Sequence, residues 1–237
     1  IDLISYLRHV KRELPGDDVE FGFPRDPEDR DARPENQCIA AWWMKAGSVF
    51  HLHVSLHGMA FSGGPFFLIE PGWSSRCEEL KAKSRRAVEA LGYRFHDVDR
   101  QGEKGFFRLE KGFSTRPDSK AMTQYFLDRQ DEVTASKFRP SSMETICSLG
   151  GDPLTLVTEM PLFLLPKVGE VLGPPDPEAE RWKNRIEKWK VHLRSEPSEA
   201  DPVMEEALRQ GLVAMPVRDH MQLQWDFIVA GLEQVQR

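Results

Sequence analysis

The stretch "SVFHLHVSLHG", Ser48 to Gly58, sets three histidines and a serine against four apolar residues in strict alternation. A period of two is that of a strand with one buried face. It places Phe50, Leu52, Val54 and Leu56 toward a core, and His51, His53, Ser55 and His57 on the opposite side. Upstream, "CIAAWWMK" (Cys38 to Lys45) is apolar on both faces, as a strand covered on two sides would be. Downstream, "PFFLIEP" (Pro65 to Pro71) is a short apolar run closed by prolines. The turn signals Ala46-Gly47-Ser48 and Ser62-Gly63-Gly64 between the three make an antiparallel meander the economical expectation.

The period then changes to that of helices. Cys77, Leu80, Ser84, Ala87, Val88 and Leu91 form a stripe behind a Ser75/Glu78 capping box, and Gly92 stands where a left-handed C-terminal residue belongs. The runs "YRFHDVDR" and "KGFFRLEKGF" predict a hairpin around Gln101-Gly102-Glu103, and Asp118 is placed to cap a helix carrying Met122, Tyr125, Phe126 and Val133. An opening helix runs from Leu3 behind Asp2 and stops at Pro15-Gly16, and "PRDPEDRDARPEN" (Pro24 to Asn36) has no apolar face to bury and reads as a solvated loop. Ser141 and Glu144 form another capping box, and "PLTLVTEMPLFLLP" supplies a strand and an extended apolar segment. Asp176 and Asp201 each precede a proline suited to a first helical turn, ahead of the stripes Ala179, Trp182, Ile186, Trp189, Leu193 and Met221, Trp225, Ile228, Leu232, Val235.

The expected architecture is therefore α+β: an antiparallel five-stranded sheet in the order α-β-β-β-α-β-β-α, with helices on one face and a helical C-terminal region. Three parts follow, a sheet domain over 1–140, a connecting segment over 141–175 and helices over 176–237, with "GPPDP" (Gly173 to Pro177) as the boundary. This element order resembles that of the type III secretion chaperones, a resemblance of order alone.

With 237 residues, 40% hydrophobic and 30% charged, the chain has material for an ordinary core. A net charge of -6 sets up no general attraction for nucleic acid or anionic lipid, so nucleic acid would need a local patch such as Lys81, Lys83, Arg85 and Arg86. On a capped helix such a run more often marks a solvated face. Cys38, Cys77 and Cys147 are odd in number and lack CxxC spacing, which disfavours a disulfide framework or structural zinc and favours a reducing, cytoplasmic setting. No apolar run approaches the length of a membrane span, and "IDLISYLRHVKREL" lacks a signal-peptide core.

The histidines carry the chemical alternative. Same-face strand neighbours stand roughly 6.5 to 7 Å apart, close enough for two imidazoles to converge on a divalent ion, zinc or manganese. His51, His53 and His57 are then the ligands, joined by Asp97 and Asp99, which share a face of "FHDVDR". "HLH" (His51 to His53) resembles the histidine-hydrophobe-histidine element of the HUH endonucleases. That resemblance implies a metal-assisted nuclease with a tyrosine nucleophile, for which Tyr125 on "AMTQYFLDRQ" is the candidate and His53 its partner. "HVSL" (His53 to Leu56) is similar to half of the signature of the two-histidine phosphoesterases, but the second copy that acid-base chemistry needs is missing.

Two function classes result. One is a non-catalytic protein-binding module or complex subunit, chaperone-like or immunity-like, without cofactor, that holds another protein through Trp182, Trp189 and Trp225. The other is a metal-dependent phosphodiesterase or nuclease on the histidine strand.

Overall fold

The computed structural model describes residues 1–11, 13–47, 49–170, 173, 176–196, 198 and 200–236. Ser48 of the quoted stretch, and Pro174 and Pro175 of the expected boundary, lie outside the described residues. The fold is α+β, but its sheet is mixed rather than antiparallel. Among the described residues six strands pair: β1 (Leu52–Ser62), β2 (Phe66–Ile69), β3 (Arg108–Glu110), β4 (Phe113–Thr115), β5 (Leu154–Leu164) and β6 (Val213–Ala214). Their order is β1-β5-β2-β4-β3, with β6 pairing the far end of β5. β1 lies parallel to β5 and β2 parallel to β4, while β2 and β6 run antiparallel to β5 and β3 antiparallel to β4.

The meander fails because β5 inserts between β1 and β2. Almost every residue of Leu154–Leu164 is apolar or small, and nearly all are buried. A strand of that composition is most stable in the middle of a sheet, where both faces and both edges are covered. The stretch expected to connect two parts is thus the central strand.

"CIAAWWMK" is not a strand. It belongs to the helix α2 (Pro34–Ala46), which opens with proline in its first turn and closes on Gly47 at φ 60. Asn36, Ala40 and Trp43 recur at helical spacing on its inner side, and an apolar run this continuous fits either period. The second hairpin is displaced as well. Residues 93–100 pair with no strand, and the hairpin is β3-β4, turning at Lys111-Gly112 with Gly112 at φ 79. Gln101 and Gly102 do form a turn, with positive φ at both.

Several helix signals stand as written. Asp2 caps α1 (Leu3–His9), Asp118 caps α4 (Ser119–Leu127), which is followed by the short α5 (Glu132–Ala135), and Asp176 caps α7 (Pro177–Ser195). Ser141 and Glu144 form a reciprocal capping box on α6 (Ser142–Ser148). Ser75 does not cap α3 (Glu78–Ala90): Pro71–Arg76 form a 3-10 turn, and Cys77 precedes the helix without a side-chain cap. Lys81, expected on a solvated face of α3, is buried with its ammonium 2.6 Å from Glu78.

Two cores result. One lies between the sheet and the pair α3 and α9 (Val217–Val235), around Phe67, Phe113, Leu156, Met160 and Phe227. The other joins α1, α7 and α8 (Ala200–Arg209) to the end of β5, around Leu7, Phe163, Trp182, Trp189 and Leu193. Helices are not confined to one face, since α2 and α6 bring Trp43 and Ser142 against the opposite side of β1.

Candidate functional site

In-register residues of paired strands share a face, and the register sets His53 beside Thr155, Ser55 beside Val157 and His57 beside Glu159. The polar face of β1 is therefore as the alternation predicts, but its partners come from far along the chain. Arg116, just after β4, continues the pairing with β2 through its N–H to the Ile69 carbonyl at 2.9 Å. Its guanidinium, only 2% exposed, reaches this face. There Nη2 donates to Glu20 Oε1 at 2.5 Å, to Ser55 Oγ at 3.2 Å and to Ser142 Oγ, and Nη1 stands 3.3 Å from His53 Nδ1. An arginine can only donate, so His53 Nδ1 is the acceptor and the ring proton rests on Nε2.

Glu20 comes from the turn before α2. Its Oε1 accepts from Ser142 Oγ at 2.7 Å, and Oε2 accepts from Ser55 Oγ at 3.3 Å. His57 lies between two carboxylates, Nε2 to Glu20 Oε2 and Nδ1 to Glu159 Oε1, each at 3.4 Å. Burial by itself would push the His57 ring toward neutrality, but Glu159 and Glu20 raise it to about 9. Burial likewise opposes ionisation of Glu20, and His57, Arg116 and Ser142 overcome it, bringing the carboxyl down to about 2. For His53, burial and then the Arg116 charge act together and push it down to about 4. At neutral pH His57 is therefore a cation, Glu20 an anion and His53 a neutral imidazole.

Chemically this is a closed ion-pair network. Both nitrogens of His57 are engaged, both serine hydroxyls are held by Glu20 and Arg116, and a guanidinium occupies the point between His53 and Glu20 where a metal cation would need to stand. A fixed positive charge there repels a second one. Among the described residues no three His, Cys, Asp or Glu side chains form a metal-holding group.

The other residues singled out from the sequence scatter. His51 does not join the histidine face: it is exposed at a bend before β1 begins. Asp97 and Asp99 do not lie on a strand; Asp97 forms a two-pronged pair with Arg108, both contacts at 2.9 Å, and Asp99 caps the N–H of Gln101. Tyr125 sits on α4 with the Arg129 guanidinium 3.5 Å from its ring centre and the Lys104 ammonium at 4.6 Å. Trp182 and Trp189 are buried in the second core, edge to face at 6.2 Å, with the Trp189 indole donating to Glu206 at 2.8 Å. Trp225 alone of the three presents its ring to solvent, 61% exposed.

Sequence reasoning missed Glu20, Arg116, Ser142 and Glu159. Glu159 carried a signal, a lone acid inside an apolar run, which a buried strand tolerates only with a partner. The others had none, because a charged residue in a loop looks alike whether it faces water or a sheet.

Trp225 belongs to a second feature. α9 crosses β1 and β5: Gln224 donates to the His57 carbonyl at 3.4 Å and Thr158 Oγ1 at 3.1 Å, and Gly231 lies close against Leu52 and Leu156. One flank is tied to α3 and its following turn by Lys83–Glu233 and by Tyr93–Asp219 at 2.6 Å. By helical geometry Met221, Trp225 and Leu232 then lie on the side of α9 away from the buried Leu223 and Phe227, with Trp225 opposite that inner pair and pointing into solvent. Met221 is 63% exposed, and Leu56, midway along β1, is 51% exposed.

Comparison with protein-family models, with curated proteins and with solved structures finds no match to this chain. Among the described residues no helix is long and apolar enough to cross a membrane.

Proposed function

We propose that this chain is a protein-binding module that takes up an extended, uncharged segment of another protein along the outer edge of β1, beside the exposed apolar residues of α9. The observations that carry the reading are the edge strand β1 with Leu56 51% exposed on it, and the solvent-facing Met221 and Trp225 on the helix that crosses that strand. An edge strand offers backbone donors and acceptors to any incoming strand, and proteins usually guard such edges with charge, proline or a covering element. Over Leu52–Ser62 β1 contains no Lys, Arg, Asp, Glu or Pro. Strand addition draws its affinity from backbone bonds and its selectivity from pockets for alternate side chains, and an exposed tryptophan beside a methionine is a ready anchor for one apolar side chain. The charge that β1 does carry, on His57, is already matched by Glu20 and Glu159, so the edge and the apolar residues of α9 favour an uncharged, apolar segment.

Selection from a displayed peptide library against the whole chain tests this. Peptides with apolar residues at alternate positions are expected to enrich, and Trp225→Glu or Leu56→Lys to weaken them roughly 30-fold, the effect of losing an anchor worth about 2 kcal/mol. Failure to enrich such peptides, or binding that both substitutions leave unchanged, refutes the reading. A dimer of the unmodified chain that both substitutions dissociate also refutes it, because a second copy would then occupy the surface.

A further inference from the structure

We infer that the groove between α7 and α8 is a binding site for a small polyphosphate-bearing molecule. The groove encloses about 620 Å³ and lies away from the β1–α9 surface. That volume falls within the range of small-molecule sites, roughly 300 to 1,000 Å³. One wall is a single stripe of α7, Arg181, Arg185, Lys188 and His192, at intervals of four, three and four, and the facing wall includes Val203 and Glu206 of α8. Such spacing keeps all four side chains on one side of the helix and sets successive charges about 4.5 to 6 Å apart along its axis. It suits a ligand with several linked anionic groups better than one carboxylate.

The site is partly pre-ordered. Arg185 lies with its guanidinium 5.0 Å from the Trp182 ring centre and 3.6 Å from Glu206, which is itself fixed by the Trp189 indole. Lys188 has no ion-pair partner among the described residues, and Arg181 is paired only with Glu178 on its own helix. Glu206 is the one carboxylate in the lining. With Glu178 counted beside Arg181, the wall carries three positive charges against two negative, and Lys188 is the excess charge among the described residues, on a chain whose overall charge is -6. That contrast favours a compact ligand in the groove over a nucleic-acid backbone, which would meet repulsion from the rest of the molecule.

The test is calorimetric titration of the full chain with inorganic tripolyphosphate at fixed ionic strength, beside a single-stranded oligonucleotide of equal total charge. One-to-one binding of tripolyphosphate is expected. Arg185→Gln/Lys188→Gln should weaken it by roughly a hundredfold, about tenfold for each lost charge-assisted contact. Glu206→Gln, which keeps an oxygen for the Trp189 indole, should tighten it several-fold. Lys183→Gln, outside the groove, should leave it unchanged. All substituted positions, Glu206 included, lie at least partly in solvent, so an unchanged melting temperature accompanies the expected result. No saturable binding, equal loss in Lys183→Gln, or preference for the oligonucleotide would each overturn the inference.

Discussion

Arg116→Met tests whether the polar network on β1 holds the sheet to its covering loop. The substitution keeps an unbranched side chain of useful volume in place of a guanidinium that is 2% exposed, and it strips Glu20 of its contact at 2.5 Å. Ser142 and His57 still face the carboxylate, so the loss is that of a buried pair broken on one side, about 3 kcal/mol and within the usual 3–5 kcal/mol for such cases. Glu20 sets an upper scale for this: a carboxyl brought from 4.5 to about 2 gains roughly 3 kcal/mol from being ionised in the fold, shared among His57, Arg116 and Ser142 against the cost of burial. For a chain of this length that is a fall in Tm of roughly 6–12 °C. Urea unfolding followed by tryptophan fluorescence at pH 7 measures it. Because a depressed carboxyl contributes above its unfolded value and loses that contribution as pH falls through its folded one, the gap between Arg116→Met and the unmodified chain should narrow from pH 4.5 toward pH 2. Adding Glu20→Gln should recover at least about 1 kcal/mol relative to the sum of the single changes, since the two residues are in contact. A loss under about 1 kcal/mol, or strict additivity, would show that Arg116 and Glu20 do not act as a unit.

Three further outcomes follow from the same structure. His57, raised from 6.5 to about 9, contributes stability that is complete below pH 6.5 and lost as pH rises through about 9, so its ring should titrate near 9 by NMR and His57→Gln should flatten the stability profile over that window. Trp225→Glu should leave the urea midpoint within about 0.5 kcal/mol because the ring is in solvent, whereas Trp189→Ala, in the second core, should cost about 3–5 kcal/mol; equal effects would contradict the assigned burial. Gly63→Ala should destabilise by at least about 2 kcal/mol in thermal unfolding, since an added Cβ would stand 1.8 Å from the Val168 carbonyl oxygen and backbone cannot yield as a side chain does.

Local signals carried most of the helical part. Asp2, Asp118, Asp176 and the Ser141/Glu144 box act on backbone groups three or fewer residues away, so each is readable without knowing the fold. Alternation also placed His53, Ser55 and His57 together on one side of β1, because a strand's faces follow from parity alone. It overran at His51, where the strand had not yet begun.

What the sequence by itself determined is therefore local: four helix caps, the polar face of β1 from His53 to His57, a strand within the apolar run from Leu154 and the left-handed glycine at Gly92. Gly47, by contrast, closes a helix and not a strand turn, and Leu56, expected in the core, is 51% exposed. Tertiary structure decided which strands are neighbours, since β1 meets β5 across about a hundred residues of chain and no pairwise rule in one sequence selects that partner. It also decided the fate of each charge and each tryptophan. Arg116 became buried because Glu20, Ser55 and Ser142 converge on it, and Trp225 stayed in solvent because Leu223 and Phe227 take the inner side of the same helix. Burial depends on what packs against a face, and that is a property of the assembled chain rather than of any stretch of it.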